Sequence, residues 1–229
     1  MRLVLNEAPM KQLPFVLLLV CTLYHAGFSQ KQYLSSRDSD PEALALLTKA
    51  SQNFGTKNTQ VNFRLKVTFP GESPVTSEGV LYQAGKSYRL QLQDYEIISD
   101  GKTRWVYLKT QKEVNIYNES NGQDWISPQD FLRLHTSTEL VFILAGTRND
   151  GVTIVEAKPL KGRFEEYSKF TIGIKNNALY FINGISTDGM RQEMNISSIT
   201  YPATLDAQKL FTFDKANYPG VYIEDLRLD

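Results

Sequence analysis

The chemistry that enzymes and metalloproteins commonly use is scarce in this chain. Its 229 residues include one cysteine, Cys21, and two histidines. A mature form without Cys21 would have no thiol, and therefore no disulfide, no thiol nucleophile and no cysteine-bound metal. Such a protein depends on its hydrophobic core for stability, and about 200 residues are ample for one core.

An excess of charge of either sign is also lacking. The 25 lysines and arginines balance the 25 aspartates and glutamates. Long basic runs are absent, which argues against a nucleic-acid partner and against strong electrostatic attachment to anionic lipid. Beyond an apolar run at residues 13–23, no segment of the sequence approaches the roughly 20 apolar residues of a transmembrane helix.

The first segment has the pattern of a secretory signal peptide. Lys11 precedes the apolar run at residues 13–23, and the small residues Ala26, Gly27 and Ser29 follow it. These features correspond to the charged region, the hydrophobic region and the cleavage site of a signal. We therefore predict secretion, with cleavage near Ser29 or Gln30.

The predicted signal divides the chain into three parts. They are a signal peptide over residues 1–29, a flexible polar lead over residues 30–39 and a single domain over residues 40–229. Cys21 lies within the signal and follows Val20, whereas a lipoprotein signal has a small residue before its cysteine. Lipidation of Cys21 is therefore disfavoured.

A helix is predicted at the start of the domain. Asp40 is placed to cap the first amide groups, and Pro41 suits the first helical position. Leu44, Leu47 and Phe54 then recur on one face at helical spacing, which indicates a helix with an apolar face to bury.

From Val61 onward the hydrophobic period changes to two. The apolar residues Val61, Phe63, Leu65, Val67 and Phe69 alternate with polar ones, as in a half-buried strand. Similar patterns predict further strands at residues 76–83, 88–92, 97–99, 103–107, 114–117, 152–157, 169–175, 178–185, 193–200 and 221–228. Strands that are close in sequence and joined by tight turns favour an antiparallel meander.

The most informative turn is Asp100-Gly101. Both residues tolerate the positive φ of a tight hairpin turn, and β-rich sequence flanks them. After the turn, Trp105 and Tyr107 fall on one side of the strand. This arrangement favours an apolar container over an enzyme.

The middle of the chain interrupts the strands. Ser127 and Pro128 form a helix-start signal, and residues 139–145 are predicted as a second short helix that ends at Gly146. The predicted fold is mainly β: an unclosed antiparallel β-barrel of about ten to eleven strands. N-terminal and mid-chain helices are expected to cover its opening.

Four segments, in order, resemble the LolA-like carriers, which move lipoproteins between the membranes of Gram-negative bacteria. They are Glu78–Tyr82, the hairpin from Ile98 through Trp105 to Tyr107, Lys169–Ile172, and the C-terminal run Phe211–Phe213, Pro219–Val221 and Asp225–Arg227. The resemblance spans residues 40–229. Each segment alone is weakly specific, whereas four in register behind a signal peptide are more so.

The resemblance implies a periplasmic carrier that holds lipoprotein acyl chains in an apolar cavity. The cavity-lining candidates are Phe63, Leu65, Val67, Phe69, Tyr82, Tyr88, Leu90, Trp105 and Tyr107. The lid candidates are Phe131, Leu132, Leu134, Leu140, Phe142 and Lys86. Expected partners are an inner-membrane ABC-type lipoprotein-releasing transporter and an outer-membrane acceptor. We expect a monomer without metal or cofactor.

One departure from that family concerns lid control. Well-studied carriers have an arginine near the turn that corresponds to residues 84–86, and it is thought to help hold the lid shut. This chain has no arginine in that turn, and Lys86 or Arg89 would replace it only approximately.

Other interpretations of the same residues remain. His135 lacks a cysteine partner and a recognisable nucleophilic serine, and Glu165-Glu166 has the character of a solvated loop, so an enzyme is the weakest. The aromatic residues could fill a solid core in a structural or interaction domain. The protein could also bind or sense other lipids or glycolipids without transferring lipoproteins.

Overall fold

The computed structural model of the protein describes residues 35–54, 56–119, 131–160, 162 and 164–227. The predicted signal peptide, the first half of the predicted lead (residues 30–34) and the helix start at Ser127-Pro128 lie outside these residues. Within them, no helix combines the length and apolar composition needed to cross a bilayer.

Twelve strands form one sheet in the described part of the chain. They are β1 (Thr59–Thr68), β2 (Val75–Ala84), β3 (Ser87–Gln91), β4 (Tyr95–Ser99), β5 (Thr103–Leu108), β6 (Glu113–Asn118), β7 (Leu140–Thr147), β8 (Thr153–Pro159), β9 (Tyr167–Lys175), β10 (Ala178–Ser186), β11 (Arg191–Thr200) and β12 (Tyr222–Asp225). In the same part of the chain the helices are α1 (Pro41–Ser51) and α2 (Ala207–Phe211), with 3-10 turns at Ser36–Asp38, Leu134–Thr136 and Lys215–Asn217. Residues 131–132 are also helical.

The sheet is open, and its strand order is β12-β6-β5-β4-β3-β2-β1-β11-β10-β9-β8-β7. Two antiparallel meanders, β1–β6 and β7–β11, join through the pairing of β1 with β11. The predicted antiparallel pairing is confirmed everywhere except at the C-terminus, where β12 pairs with β6 in parallel. The predicted unclosed β architecture with added helices is therefore confirmed, with one or two strands more than expected.

The prediction of a helix at residues 139–145 is wrong, because Leu140–Thr147 form strand β7. Leu140, Val141 and Phe142 are all buried, so both faces of this strand are covered where it begins. A strand buried on both faces shows no polar alternation, and a short apolar run of this kind resembles a buried helix in sequence.

Residues before α1 cover the edge of β7. The backbone amide of Asp40 donates to the carbonyl of Phe142 at 2.8 Å, and Ser39 Oγ accepts from the amide of Phe142 at 3.0 Å. Asp40 Oδ2 accepts from the amide of Leu144 at 2.8 Å. Asp40 was expected to cap α1, but its side chain makes no capping hydrogen bond. It instead satisfies part of a sheet edge that would otherwise be open to pairing with another chain.

We call the sheet face that carries Val61, Leu90 and Ile97 the inner face, and the opposite one the outer face. Leu90 of β3 and Ile97 of β4 belong to the same buried cluster as Ile172 of β9 and Leu47 of α1. These strands are far apart in the sheet order, so one cluster can include them only if the sheet curves strongly. Helix α1 packs over β7, β9 and β10.

The outer face of β3–β6 is covered by a second, smaller layer. Ile98 and Val114 point to that face and are buried, as are Phe211 and Val221 of the C-terminal segment. Helix α2 packs on β3 and β4. The C-terminal segment therefore forms its own small core outside the main one.

Candidate ligand-binding site

A pocket opens on the inner face between α1, residues 131–135 and strands β9 and β10. Its cavity volume is about 10 Å³, which is room for about one water molecule. Its lining residues are Leu47, Ser51, Phe131, Leu132, Leu134, His135, Ile172, Leu179 and Ile182. Seven of these nine are apolar, so the pocket suits a hydrocarbon group better than a charged one.

Two polar side chains line the same pocket. Ser51 is buried, and its Oγ has no hydrogen-bond partner within the described structure. Burial lowers the pKa of His135 below its usual 6.5, and the positive charge of Arg133 lowers it further. His135 is therefore neutral at neutral pH, which keeps the pocket free of positive charge from the imidazole.

The segment over the pocket contains three of the lid candidates. Leu132 and Leu134 are buried, and the ring of Phe131 meets that of Phe170 edge-on at 6.1 Å between centroids. The other two apolar candidates, Leu140 and Phe142, lie in β7 and are buried in the main cluster. A lid that included these two residues would have to include strand β7.

The remaining lid candidate, Lys86, lies elsewhere. It is exposed in the β2–β3 turn, close to Gly101, where an added Cβ would come within 3.0 Å of Lys86 Cβ. Arg89, considered as a substitute for the missing arginine, lies on the outer face, where it bonds Glu96 and the C-terminal segment.

Five of the nine lining candidates point to the inner face. Phe63, Tyr88 and Leu90 are buried there, and Leu65 and Val67 continue the row of β1 partly exposed. Phe69 lies just beyond β1 and is 45% exposed. The alternation of β1 therefore predicted the inner face correctly, while its last residue escapes cover because the strand has ended.

The other three candidates, Tyr82, Trp105 and Tyr107, lie on the outer face. The pairing register places Tyr82, Arg89, Ile98 and Trp105 in one row, opposite to the row of Val61. Trp105 and Tyr107 do share a face, as predicted, but that face is covered by the C-terminal segment. The sequence pattern predicted that Trp105 and Tyr107 lie beside Phe63 in one cavity wall. The pairing register corrects this, because it places them on the opposite face of the sheet.

Aromatic contacts fix these two side chains to the C-terminal segment. The ring of Trp105 stacks on Phe213 at 6.3 Å between centroids, and Phe213 stacks on Tyr218 at 4.9 Å. Tyr107 meets Tyr218 edge-on at 4.9 Å. Sequence alternation showed that the pair shares a side of its strand, but only the return of a distant segment decides what covers that side.

A buried polar network anchors the same segment. Glu96 accepts hydrogen bonds from Arg89 Nε at 2.5 Å, from Gln91 Nε2 at 2.8 Å and from Tyr218 Oη at 3.0 Å. Arg89 also donates to the carbonyl of Lys209 at 3.0 Å. Charge-assisted bonds of this kind hold the segment in a single register on the outer face.

Burial, with the negative charge of Glu96 as a second cause, raises the pKa of Tyr218 to about 12. An unfolded tyrosine titrates near pH 10, at about its unperturbed pKa. The folded state therefore keeps this proton where the unfolded state loses it, so stability is full below pH 10 and falls as the pH rises towards 12. We expect wild-type protein to lose stability more steeply across this range than Tyr218→Phe.

Urea unfolding at several pH values between 9 and 12 would measure the difference. Burial also raises the pKa of Tyr95 and of Tyr167, so the comparison with Tyr218→Phe isolates the one phenol. Tyrosinate absorbance should show one transition near pH 12 that Tyr218→Phe lacks. Parallel stability curves for the two proteins would contradict the prediction.

A polar row crosses the inner face where β1 begins. Its members, which face one another across adjacent strands, are Thr59, Gln83, Tyr88, Ser99, Arg104 and Tyr117. The next row along the strands consists of the apolar residues Val61, Leu81, Leu90, Ile97 and Val106, and it ends at Asn115 on β6. The polar row and the apolar row are two residues apart along each strand, which is about 7 Å. The inner face is therefore amphipathic.

Hydrogen bonds engage most of this row. Tyr88 Oη donates to Glu119 Oε1 at 3.1 Å, Ser99 Oγ donates to Glu119 Oε2 at 2.9 Å, and the Arg104 guanidinium lies 5.0 Å from the ring centre of Tyr117. Gln83 is fully buried; its Nε2 donates to the carbonyl of Gly85, but its Oε1 has no partner in the described structure. Leaving such an acceptor unpaired costs about 1–3 kcal/mol.

The described residues bring together no group of three or more His, Cys, Asp or Glu side chains that could hold a metal ion. No protein-family model and no curated protein matches the chain.

Similarity to solved structures is found. A DUF1329 family protein from Desulfovibrio piger is 15% identical, with a TM-score of 0.43, over 77% of this chain and 98% of that one. A LolA superfamily protein from Nitrosomonas europaea is 15% identical, with a TM-score of 0.42, over 75% and 98%. LprF from Mycobacterium bovis is 11% identical, with a TM-score of 0.41, over 73% and 97%. These values are too low to transfer a function from any of the three.

Proposed function

We propose that this protein is a periplasmic carrier that binds the acyl chains of lipoproteins and moves lipoproteins from the inner to the outer membrane. The observation that carries the proposal is the apolar pocket on the inner face of an open sheet, beneath residues 131–135. An inner-membrane ABC-type transporter that releases lipoproteins and an outer-membrane acceptor would be its partners.

The energetics of the cargo favour an apolar container. Burying one methylene gains about 0.8 kcal/mol, so a sixteen-carbon chain represents on the order of 12 kcal/mol. Such a chain cannot cross an aqueous compartment exposed. The carrier must compete with the membrane and still release its cargo, which an adjustable pocket does better than a permanently open one.

The pocket must widen before it can hold an acyl chain. Its cavity volume of about 10 Å³ is far below the roughly 300 Å³ at which small-molecule sites begin. The pocket is bounded on one side by Phe131, Leu132 and Leu134 rather than by the sheet alone. Displacement of this segment would open the inner face, and the segment would cover that face again after release.

The test is uptake of a triacylated peptide, followed by native mass spectrometry, with wild-type protein and two matched variants. Ile182→Phe enlarges a buried side chain in the pocket, and Ile98→Phe makes the same change at an equally buried position on the outer face. Overpacking costs about 1–3 kcal/mol at either site. We expect Ile182→Phe to weaken uptake roughly tenfold and Ile98→Phe to leave uptake unchanged.

Wild-type protein that takes up no lipopeptide would contradict the proposal, as would equal weakening by the two variants. Release of lipoproteins from inner-membrane vesicles then separates two kinds of lipid binder. A carrier extracts lipoproteins into solution, whereas a module that binds or senses other lipids or glycolipids takes up lipid but releases no lipoprotein.

A further inference from the structure

The inner face contains a buried hydrogen-bond acceptor, Gln83 Oε1, that has no donor within the described protein. Gln83 is fully buried on β2, and its Oε1 points to the face that also carries the acyl-binding pocket. Its neighbours across the sheet, Thr59 and Tyr88, are occupied by other acceptors, since Thr59 Oγ1 donates to the carbonyl of Lys57 and Tyr88 donates to Glu119. Gln83 Oε1 therefore has no donor within the described structure, and a donor from outside the chain would reach it only when the inner face opens.

The surroundings define the chemistry of that donor. Beyond Gln83 in the strand direction lie Leu81 and Val61, which are buried and apolar. A ligand that reaches Gln83 must therefore be amphiphilic, with an N–H or O–H group next to a hydrocarbon chain. The same end holds the carboxylate of Glu119, which accepts from Tyr88 and Ser99, and the guanidinium of Arg104, which faces Ser99 across β4 and β5. One charge of each sign is therefore already present there, which favours a neutral head group over an ionic one.

We propose that Gln83 is a specificity-determining residue that binds the head of the ligand and so fixes its direction on the inner face. The head is an amide N–H or a hydroxyl that donates to Gln83 Oε1, and the acyl chain lies on the adjoining apolar row. The inference rests on the proposed function and names the class of ligand: a neutral, donor-bearing acyl amphiphile such as an N-acylated amine.

The test compares two probes that differ by one donor, N-methyldodecanamide and N,N-dimethyldodecanamide. Only the first has an N–H, and the hydrocarbon chain is the same. We expect wild-type protein to bind the N–H amide about fivefold more tightly, which is the range of a single net hydrogen bond. In Gln83→Leu the ratio of the two dissociation constants should fall to about one, while binding of the dimethyl amide is kept.

Two variants serve as controls. Gln60→Leu makes the same substitution on the outer face of β1, and it should keep the fivefold preference. Asn115→Leu removes another acceptor, Oδ1, that is buried without a partner in the described structure, on the inner face of β6. It should also keep the preference. Loss of preference in Asn115→Leu but not in Gln83→Leu would overturn the assignment to Gln83.

The outcomes separate the two proposals. Equal binding of both amides by wild-type protein would overturn the role of Gln83 and leave lipid binding intact. Absence of binding by either amide would overturn lipid binding, and the role of Gln83 with it. Because Gln83→Leu removes a buried unpaired acceptor, its thermal stability should match or exceed that of wild type, and this shows that a changed ratio does not result from unfolding.

Discussion

Replacement of Glu96 by alanine should lower the free energy of unfolding by about 3–5 kcal/mol, the largest effect we expect from a single substitution. Glu96 is 5% exposed and neutralises Arg89, whose side chain is itself only 16% exposed. Removing the carboxylate leaves a largely buried positive charge without its ion-pair partner. The same substitution removes the acceptor of Tyr218 Oη, so the C-terminal segment loses part of its anchor.

Glu96→Ala should lower the stability of the whole fold and also loosen the C-terminal segment locally. Urea unfolding measures the global loss, and hydrogen exchange of the amides in residues 207–221 measures detachment of the segment. Arg89 and Tyr218 both connect β3 or β4 to that segment, so exchange there should become faster than exchange in β9 and β10. Replacing Arg89 and Glu96 together removes both charges and should cost less than Glu96→Ala alone.

The chain contains a matched control for burial. Arg64 and Glu78 form an ion pair across β1 and β2 at 2.7 Å, with the side chains 62% and 66% exposed. Glu78→Ala should cost at most about 1 kcal/mol, because water screens this pair and hydrates the arginine that remains. Similar costs for Glu78→Ala and Glu96→Ala would show that the network on the outer face does not stabilise the fold.

Replacement of Gly79 by alanine should destabilise the protein by about 1–3 kcal/mol through overpacking. An added Cβ would lie 2.3 Å from Cζ of Phe63 and 2.9 Å from Cδ2 of Leu92. Phe63 is directly opposite Gly79 in the β1–β2 pair and lies across it, 5% exposed. The phenylalanine ring therefore occupies the space that any side chain at Gly79 would need.

The sign of the change in unfolding free energy distinguishes a steric clash from the ordinary effect of replacing glycine by alanine. The backbone of Gly79 lies outside the left-handed region. Alanine in a strand interior without a clash should therefore be neutral or stabilising relative to glycine. In a Phe63→Leu background, Gly79→Ala should lose most of its cost, as a double-mutant cycle by urea unfolding would measure. A stabilising Gly79→Ala in the wild-type background would refute the close packing of Phe63.

Much of the sheet was predictable because its strands are half-buried. Val61, Phe63 and Leu65 alternate with polar residues, among them Arg64 and Lys66, which pair with glutamates on the outer face. A period of two therefore indicates both the strand and its inner face. The turns were predictable for a local reason as well: Asp100 Oδ1 accepts from the amides of Lys102 and Thr103, as an aspartate at a hairpin turn commonly does.

The errors have a common physical origin in contacts between residues far apart in sequence. Asp40 has every local feature of a helix cap, yet it binds the amide of Leu144 because the edge of β7 comes to lie beside it. Residues 140–142 lack alternation because two layers cover them. Trp105 and Tyr107 were placed on the same side correctly, but which core they join depends on where residues 213–218 return.

The sequence alone therefore determined the class of fold, the position of most strands and the identity of the apolar face of β1. Backbone conformation and alternation are local properties, so a single chain displays them without its neighbours. Only the tertiary structure decided which residues line the candidate site. It placed Gln83 in a buried polar row, gave Glu96 to an outer network and brought Leu47, Ile172 and Ile182 together in one pocket, because side chains from distant strands meet only after the sheet has curved.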